Sequence, residues 1–157
     1  MINKILVPLD GSKLAECALS YAEEMATRMG VDEVDLISVT ERVQGFRLVE
    51  DPTSPTEGRL MAEAAGKMTA QATRYLNRVA KGLEAKGVKV VKEVLYGNPA
   101  EEIIIYGDTR GCNLIIMSSH GKSGPSKCAF GSVSEKVLRG VRVPIMIIRA
   151  PGCVATA

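Results

Sequence analysis

Ile5-Leu6-Val7-Pro8-Leu9-Asp10-Gly11-Ser12 changes its periodicity within a few residues. Ile5-Leu6-Val7 is too short and too continuously apolar for a helix, which predicts a strand buried on both faces. From Ser12 onward Leu14, Ala18, Tyr21, Ala22, Met25 and Met29 recur at helical spacing. Ser12 can cap that helix and Gly30 can end it. A buried strand that feeds a helix is the unit whose repetition builds a parallel sheet.

The unit repeats along the chain. Val34 to Val39, broken only by Asp35 and Ser38, predicts a second strand. Glu41 to Thr56 has no period, and a connection of that length inside a compact domain is usually functional or disordered. Leu60, Met61, Ala64, Met68, Ala72, Tyr75, Val79 and Leu83 then mark the broad stripe of a long helix closed by Gly87, a stripe that reads as core. Val88 to Leu95 alternates apolar and charged residues, which suits a strand near a sheet edge. Asn98-Pro99-Ala100-Glu101 places a cap, an N1 proline and an N3 acid at a helix start. Leu114-Ile115-Ile116-Met117 contains no polar residue and predicts a central strand. Ser132-Val133-Ser134-Glu135 has capping-box spacing and opens a helix that stops at Gly140, and Val143 to Ile148 predicts the last strand, with Pro144 tolerated at its start. The reading is an α/β fold in one domain over 1–150, a parallel sheet sandwiched between two helix layers, with 151–157 a disordered tail.

Composition narrows the function classes. The chain has 157 residues, 46% of them apolar, enough for one sizeable core. A net charge of +2, from 20 basic and 18 acidic residues, lacks the electrostatic footprint of a nucleic-acid or anionic-membrane binder. No apolar run approaches the roughly 20 residues that span a bilayer, and the N-terminus reads as a first strand, so a cytoplasmic protein is expected. Cys17, Cys112, Cys128 and Cys153 form no CxxC pair, and with the single His120 they cannot make the usual zinc clusters. They are expected to be reduced thiols. A catalytic triad is not indicated.

Ligands of such sheets bind outside the carboxyl ends of the strands, where strand order reverses. The richest segment there is Ser118 to Ser132, with three glycines, several hydroxyls and two lysines. Glycine permits close backbone approach, and a helix N-terminus offers unpaired amides with partial positive charge; together these make a phosphate cradle. The same composition also fits a plain surface loop. Two motifs fail: Gly121-Lys122-Ser123 has Ile116 where a P-loop needs its first glycine, and no GxGxxG follows the first strand.

Val7-Pro8-Leu9-Asp10-Gly11-Ser12 resembles the opening of the universal stress proteins. Ser118-Ser119-His120-Gly121, nine residues, then Gly131-Ser132 resembles that family's nucleotide signature, and Val143 to Ile148 its last strand. The resemblance runs from Ile2 to Arg149. One position departs, because the first signature glycine falls on Ser118.

The resemblance implies a five-stranded parallel sheet of order 3-2-1-4-5, of the adenine nucleotide alpha hydrolase-like kind, and a site for ATP, with or without Mg2+, between the first and fourth strands. Carried over by position, Pro8, Leu9 and Asp10 would line the adenosine, with Asp10 near the ribose, and Val39 would meet adenine. Met117, Ser118, His120 and Gly121 would follow the ribose and first phosphates. Gly131, Ser132, Val133 and Ser134 would hold the distal phosphates. Read without the resemblance, Asp10 and Ser132 are helix or turn caps, His120 a solvated turn residue, and Val39 and Met117 apolar strand ends. The implied function is an ATP-binding stress-response regulator acting as a homodimeric switch through its last strand. A dimerisation module without nucleotide and a slow ATPase stay open. The loop offers little beyond His120 as a base, so an enzyme is the less favoured reading.

Overall fold

The computed structural model describes residues 2–41, 55–122 and 130–149. Most of the aperiodic 41–56 segment, the middle of the Ser118–Ser132 loop, Cys128 and the 151–157 tail lie outside the described residues. The elements alternate as β1 (Lys4–Pro8), α1 (Cys17–Met29), β2 (Glu33–Thr40), α2 (Pro55–Glu84), β3 (Val90–Tyr96), α3 (Pro99–Thr109), β4 (Leu114–Ser118), α4 (Ser132–Gly140) and β5 (Ile145–Ile148). The strands form one sheet in the order β3-β2-β1-β4-β5, and every neighbouring pair is parallel. The α/β/α sandwich of order 3-2-1-4-5 is therefore the fold.

Burial follows the sequence pattern. β4 is buried at every position, β3 is half-buried at one edge, and β5 is half-buried at the other. Alternate strand residues feed two cores. Ile5, Val7, Val34, Leu36 and Ile116 pack with Ala18, Ala22, Leu76 and Ala80 of α1 and α2. Leu6, Ile37, Ile115 and Met117 pack with Ile103, Tyr106 and Val137 of α3 and α4.

The local signals are honoured at most ends. Asn98 Oδ1 accepts the amides of Ala100 and Glu101, with Pro99 opening α3. Gly30 ends α1 in the left-handed region at φ 65°, returning its amide to Ala26. α1 itself starts later than expected. Ser12 Oγ accepts the Ala15 amide at 3.1 Å, and a set of turns precedes the regular helix at Cys17.

α4 corrects the expectation of a capping box. Gly131 is the N-cap, in extended backbone, and no side chain caps the helix; Ser132 is already its first residue. Gly131 N–H donates to Ser119 O at 2.8 Å, which fixes the entry of the chain one residue earlier. Ser134, rather than Ser132, uses its hydroxyl, donating to Ser119 O and Gly131 O at 2.8 and 2.9 Å.

Candidate functional site

Parallel strands that end together leave a crevice between their loops, and here it is a cavity of about 590 Å³. It lies across the carboxyl ends of β1, β2 and β4. Pro8, Leu9 and Asp10 come from the end of β1, Val39 from β2, and Met117 and Ser118 from β4. His120 and Gly121 follow β4, and Gly131, Ser132, Val133 and Ser134 open α4. The fold thus gathers around one cavity the twelve residues carried over by position, while residues 123–129 of the Ser118–Ser132 segment lie outside the described residues.

Their local states differ from a bare loop. Leu9 is buried, with its amide on Ile37 O at 2.8 Å. Asp10 Oδ1 accepts the amide and hydroxyl of Ser12 at 2.9 and 2.6 Å, and Oδ2 accepts the Lys122 amide at 2.7 Å. It does cap a turn, and it also spans to the β4–α4 loop. His120 is 4% exposed with Nδ1 3.0 Å from Ser119 Oγ, so it is no solvated turn residue. Ser118 is buried in β4, paired in register with Ile148. Its backbone is extended, so a serine there meets no left-handed strain. Its Oγ accepts the His120 amide at 3.3 Å.

The phosphate-cradle geometry is partly altered. The Gly131 amide is taken by Ser119 O, and a Cβ on Gly131 would stand 3.1 Å from that same oxygen. Gly131 therefore allows two backbones to approach each other. The amides of Ser132, Val133 and Ser134, in the first turn of α4, remain those without intrahelical acceptors, and the helix dipole points its positive end at the cavity.

The sequence reading missed one wall. Met68, Gln71, Ala72 and Tyr75 of α2 line the cavity. A 30-residue helix spans about 45 Å, against about 26 Å for the eight residues of β2. Leu76, Ala80 and Leu83 of α2 pack in the core while Met68 to Tyr75, one to two turns earlier, line the cavity. The helix thus continues beyond the core over the site, and its length was the available signal. The Tyr75 hydroxyl is buried without a hydrogen-bond partner among the described residues. Burial, then the charges of Glu16 and Asp10, hold its pKa above the usual tyrosine range, so it stays a proton donor. Among the described residues no group of three or more His, Cys, Asp or Glu is gathered for a metal, and no helix is long and apolar enough to cross a membrane.

Known proteins share this plan. The model of the universal stress protein family matches residues 1–149. Universal stress protein MJ0577 of Methanocaldococcus jannaschii is similar at 32% identity, over 95% of this chain and 96% of that protein. A solved structure of MJ0577 superposes with a TM-score of 0.83 at 29% identity, covering 98% of this chain and 99% of the other. A universal stress family protein of Arabidopsis thaliana, solved with AMP bound, shares the fold at a TM-score of 0.65 and 17% identity, covering 96% and 93%. A universal stress protein solved in complex with cAMP does so at 0.64 and 16%, covering 95% and 98%.

Proposed function

The chain belongs to the universal stress protein family, and from that premise we propose that it is an ATP-binding regulatory protein of the cytoplasm, working as a homodimeric, nucleotide-dependent switch. One observation carries this reading: the ends of β1, β2 and β4 and the N-terminus of α4 converge on a single cavity of about 590 Å³. Its apolar side, with Pro8, Leu9, Val39 and Met117, suits a flat base. The cavity also receives the first-turn amides of the nine-residue helix α4, which suit phosphates. By the family resemblance, Asp10 and Ser118, which also line the cavity, would meet a ribose hydroxyl. The AMP and cAMP held by two proteins of the same fold support nucleotide as the ligand class. Mg2+ would travel with the ATP rather than be held by a protein ligand cluster.

β5 supplies the dimer half of the reading. It is an apolar edge strand with β4 as its ladder neighbour and every residue half-buried. A second copy across a two-fold axis would cover it.

The test is to denature the purified protein and identify released nucleotide by mass spectrometry, then titrate stripped protein with ATP. Bound or titrating ATP supports the switch. A large share of ADP moves the assignment to a slow ATPase. A protein that is empty and ignores added ATP overturns the nucleotide reading and leaves a dimerisation module.

A further inference from the structure

Asp10 and Lys122 are 112 residues apart, and the carboxylate of one holds the backbone of the other. The contact exists because residue 121 is glycine. A Cβ at Gly121 would stand 2.0 Å from Asp10 Oδ2, closer than any side chain allows. Oδ1 of the same carboxylate is held by Ser12, so Asp10 cannot swing away without breaking the turn into α1. The Lys122 side chain folds back over that turn, its Cε 3.9 Å from where a Gly11 Cβ would stand. Among the described residues Lys122 is the only lysine or arginine lining the cavity, against the carboxylates of Asp10 and Glu41. Among the described lining residues a polyanion meets two like charges and one opposite charge, so the placement of that one matters. A lysine arm is costly to order, and a fixed backbone lowers that cost.

We propose that Lys122 reads the phosphates of the ligand and that Asp10 is its positioning residue, with Gly121 admitting the carboxylate. The inference rests on the reading of the cavity as a nucleotide site. It adds a direction of selectivity: affinity rises with the number of phosphates, and it does so through Lys122. Asp10 then acts on phosphate without touching it.

The experiment compares adenosine, AMP and ATP on wild type, Lys122→Met, Asp10→Asn and the double variant, with amide exchange at Lys122 followed in the ligand-free proteins. Methionine keeps the residue-122 amide and hence its bond to Asp10. Lys122→Met should lose about tenfold in ATP affinity, as expected for one charge-assisted contact, and leave adenosine within about twofold. Asp10→Asn should lose the protection of the Lys122 amide and weaken ATP more than adenosine. The double variant should be no weaker than the poorer single, because both changes remove one unit. If Asp10→Asn weakens adenosine and ATP alike, additively with Lys122→Met, then Asp10 only meets the ribose and the proposal is overturned. So would a Lys122→Met protein that binds ATP as wild type does overturn it, or a Lys122 amide that exchanges freely in the wild type. A wild type that binds none of the three ligands instead overturns the nucleotide reading, and the exchange data still report on the Asp10–Lys122 contact.

Discussion

Tyr106 on α3 donates its hydroxyl to Oδ2 of Asp35 on β2 at 2.9 Å, in the half of the sheet away from the cavity. Asp35 has no solvent exposure, and Lys4 Nζ meets the same oxygen at 2.9 Å. Burial raises the Asp35 pKa, while the hydrogen bonds from Lys4 and Tyr106 pull it back. A buried carboxylate that loses a donor bears more of its desolvation cost uncompensated. Tyr106→Phe is therefore expected to destabilise the protein by about 1.5–3 kcal/mol in urea denaturation. A loss within about 0.5 kcal/mol would show that Lys4 alone suffices for Asp35.

The same cluster sets an acid limb. Hydrogen bonds from Lys4 and Lys89 hold the Glu33 carboxyl at about 2, below its ordinary 4.5. A carboxyl depressed in the folded state contributes stability that is present above 4.5 and lost as pH falls through 2. Asp35, with its pKa raised, works in the opposite sense and offsets part of this. At the alkaline end, Lys4 is opposed by burial but lifted to about 12 by its bonds to Glu33 and Asp35, so its contribution is lost only as pH rises through 12. Urea midpoints measured from about pH 6 down to about pH 2 should fall less steeply in Glu33→Gln than in wild type. Equal slopes would remove Glu33 from the account.

Three helix-start substitutions separate cap from site. Asn98→Ala removes a side-chain cap and should cost about 1 kcal/mol. Ser132→Ala should cost little stability, because Ser132 lies inside α4 and caps nothing. Ser134→Ala removes a buried donor from Ser119 O and Gly131 O and should cost about 1 kcal/mol or somewhat more. A melting series in which Ser132→Ala is the most damaging would restore the capping box.

Gly131→Val tests the phosphate end. Its Cβ would press on Ser119 O at 3.1 Å, so the melting temperature should fall, and displacement of the α4 N-terminus should weaken ATP at least tenfold, roughly 1.4 kcal/mol. The binding is measured well below the lowered melting temperature. Unchanged affinity would place the phosphates elsewhere.

Sedimentation addresses the edge strand. With β5 paired across a two-fold axis, the protein should run as a dimer at tens of micromolar. A monomer at that concentration defeats the β5 interface and leaves the cavity reading untouched.

Much of this protein is legible without coordinates, because its signals are local. The change from the unbroken apolar run Ile5-Leu6-Val7 to a 3.6-residue apolar spacing beyond Ser12 depends only on neighbouring residues. So do the left-handed stop at Gly30, the Asn98-Pro99 start, the charged alternation of β3 and the unbroken apolar run of β4. Strand ends then point to a ligand edge, since parallel strands all finish on the same side, and the loops Pro8 to Ser12, Val39 onward, Gly97-Asn98 and Met117 to Ser134 follow from that. Gly97 and Asn98 do not line the cavity, and the individual site residues came from the family resemblance.

What the tertiary structure alone decided comes from contacts between distant segments. Gly131 rather than Ser132 caps α4 because the Gly131 amide reaches Ser119 O beside β4. His120 is buried although its glycine-flanked loop reads as solvated. The overhang of α2 turned part of a core stripe into a cavity wall. Asp35 breaks an apolar run in the sequence, yet sits at zero exposure because Lys4 and Tyr106 arrive from β1 and α3 to meet it. Asp10 meets Lys122 only because the sheet sets the β1 and β4 loops side by side and Gly121 leaves room. Periodicity and capping are properties of a few adjacent residues, so they are written in the chain; which polar groups meet across 112 residues is set by how the layers pack.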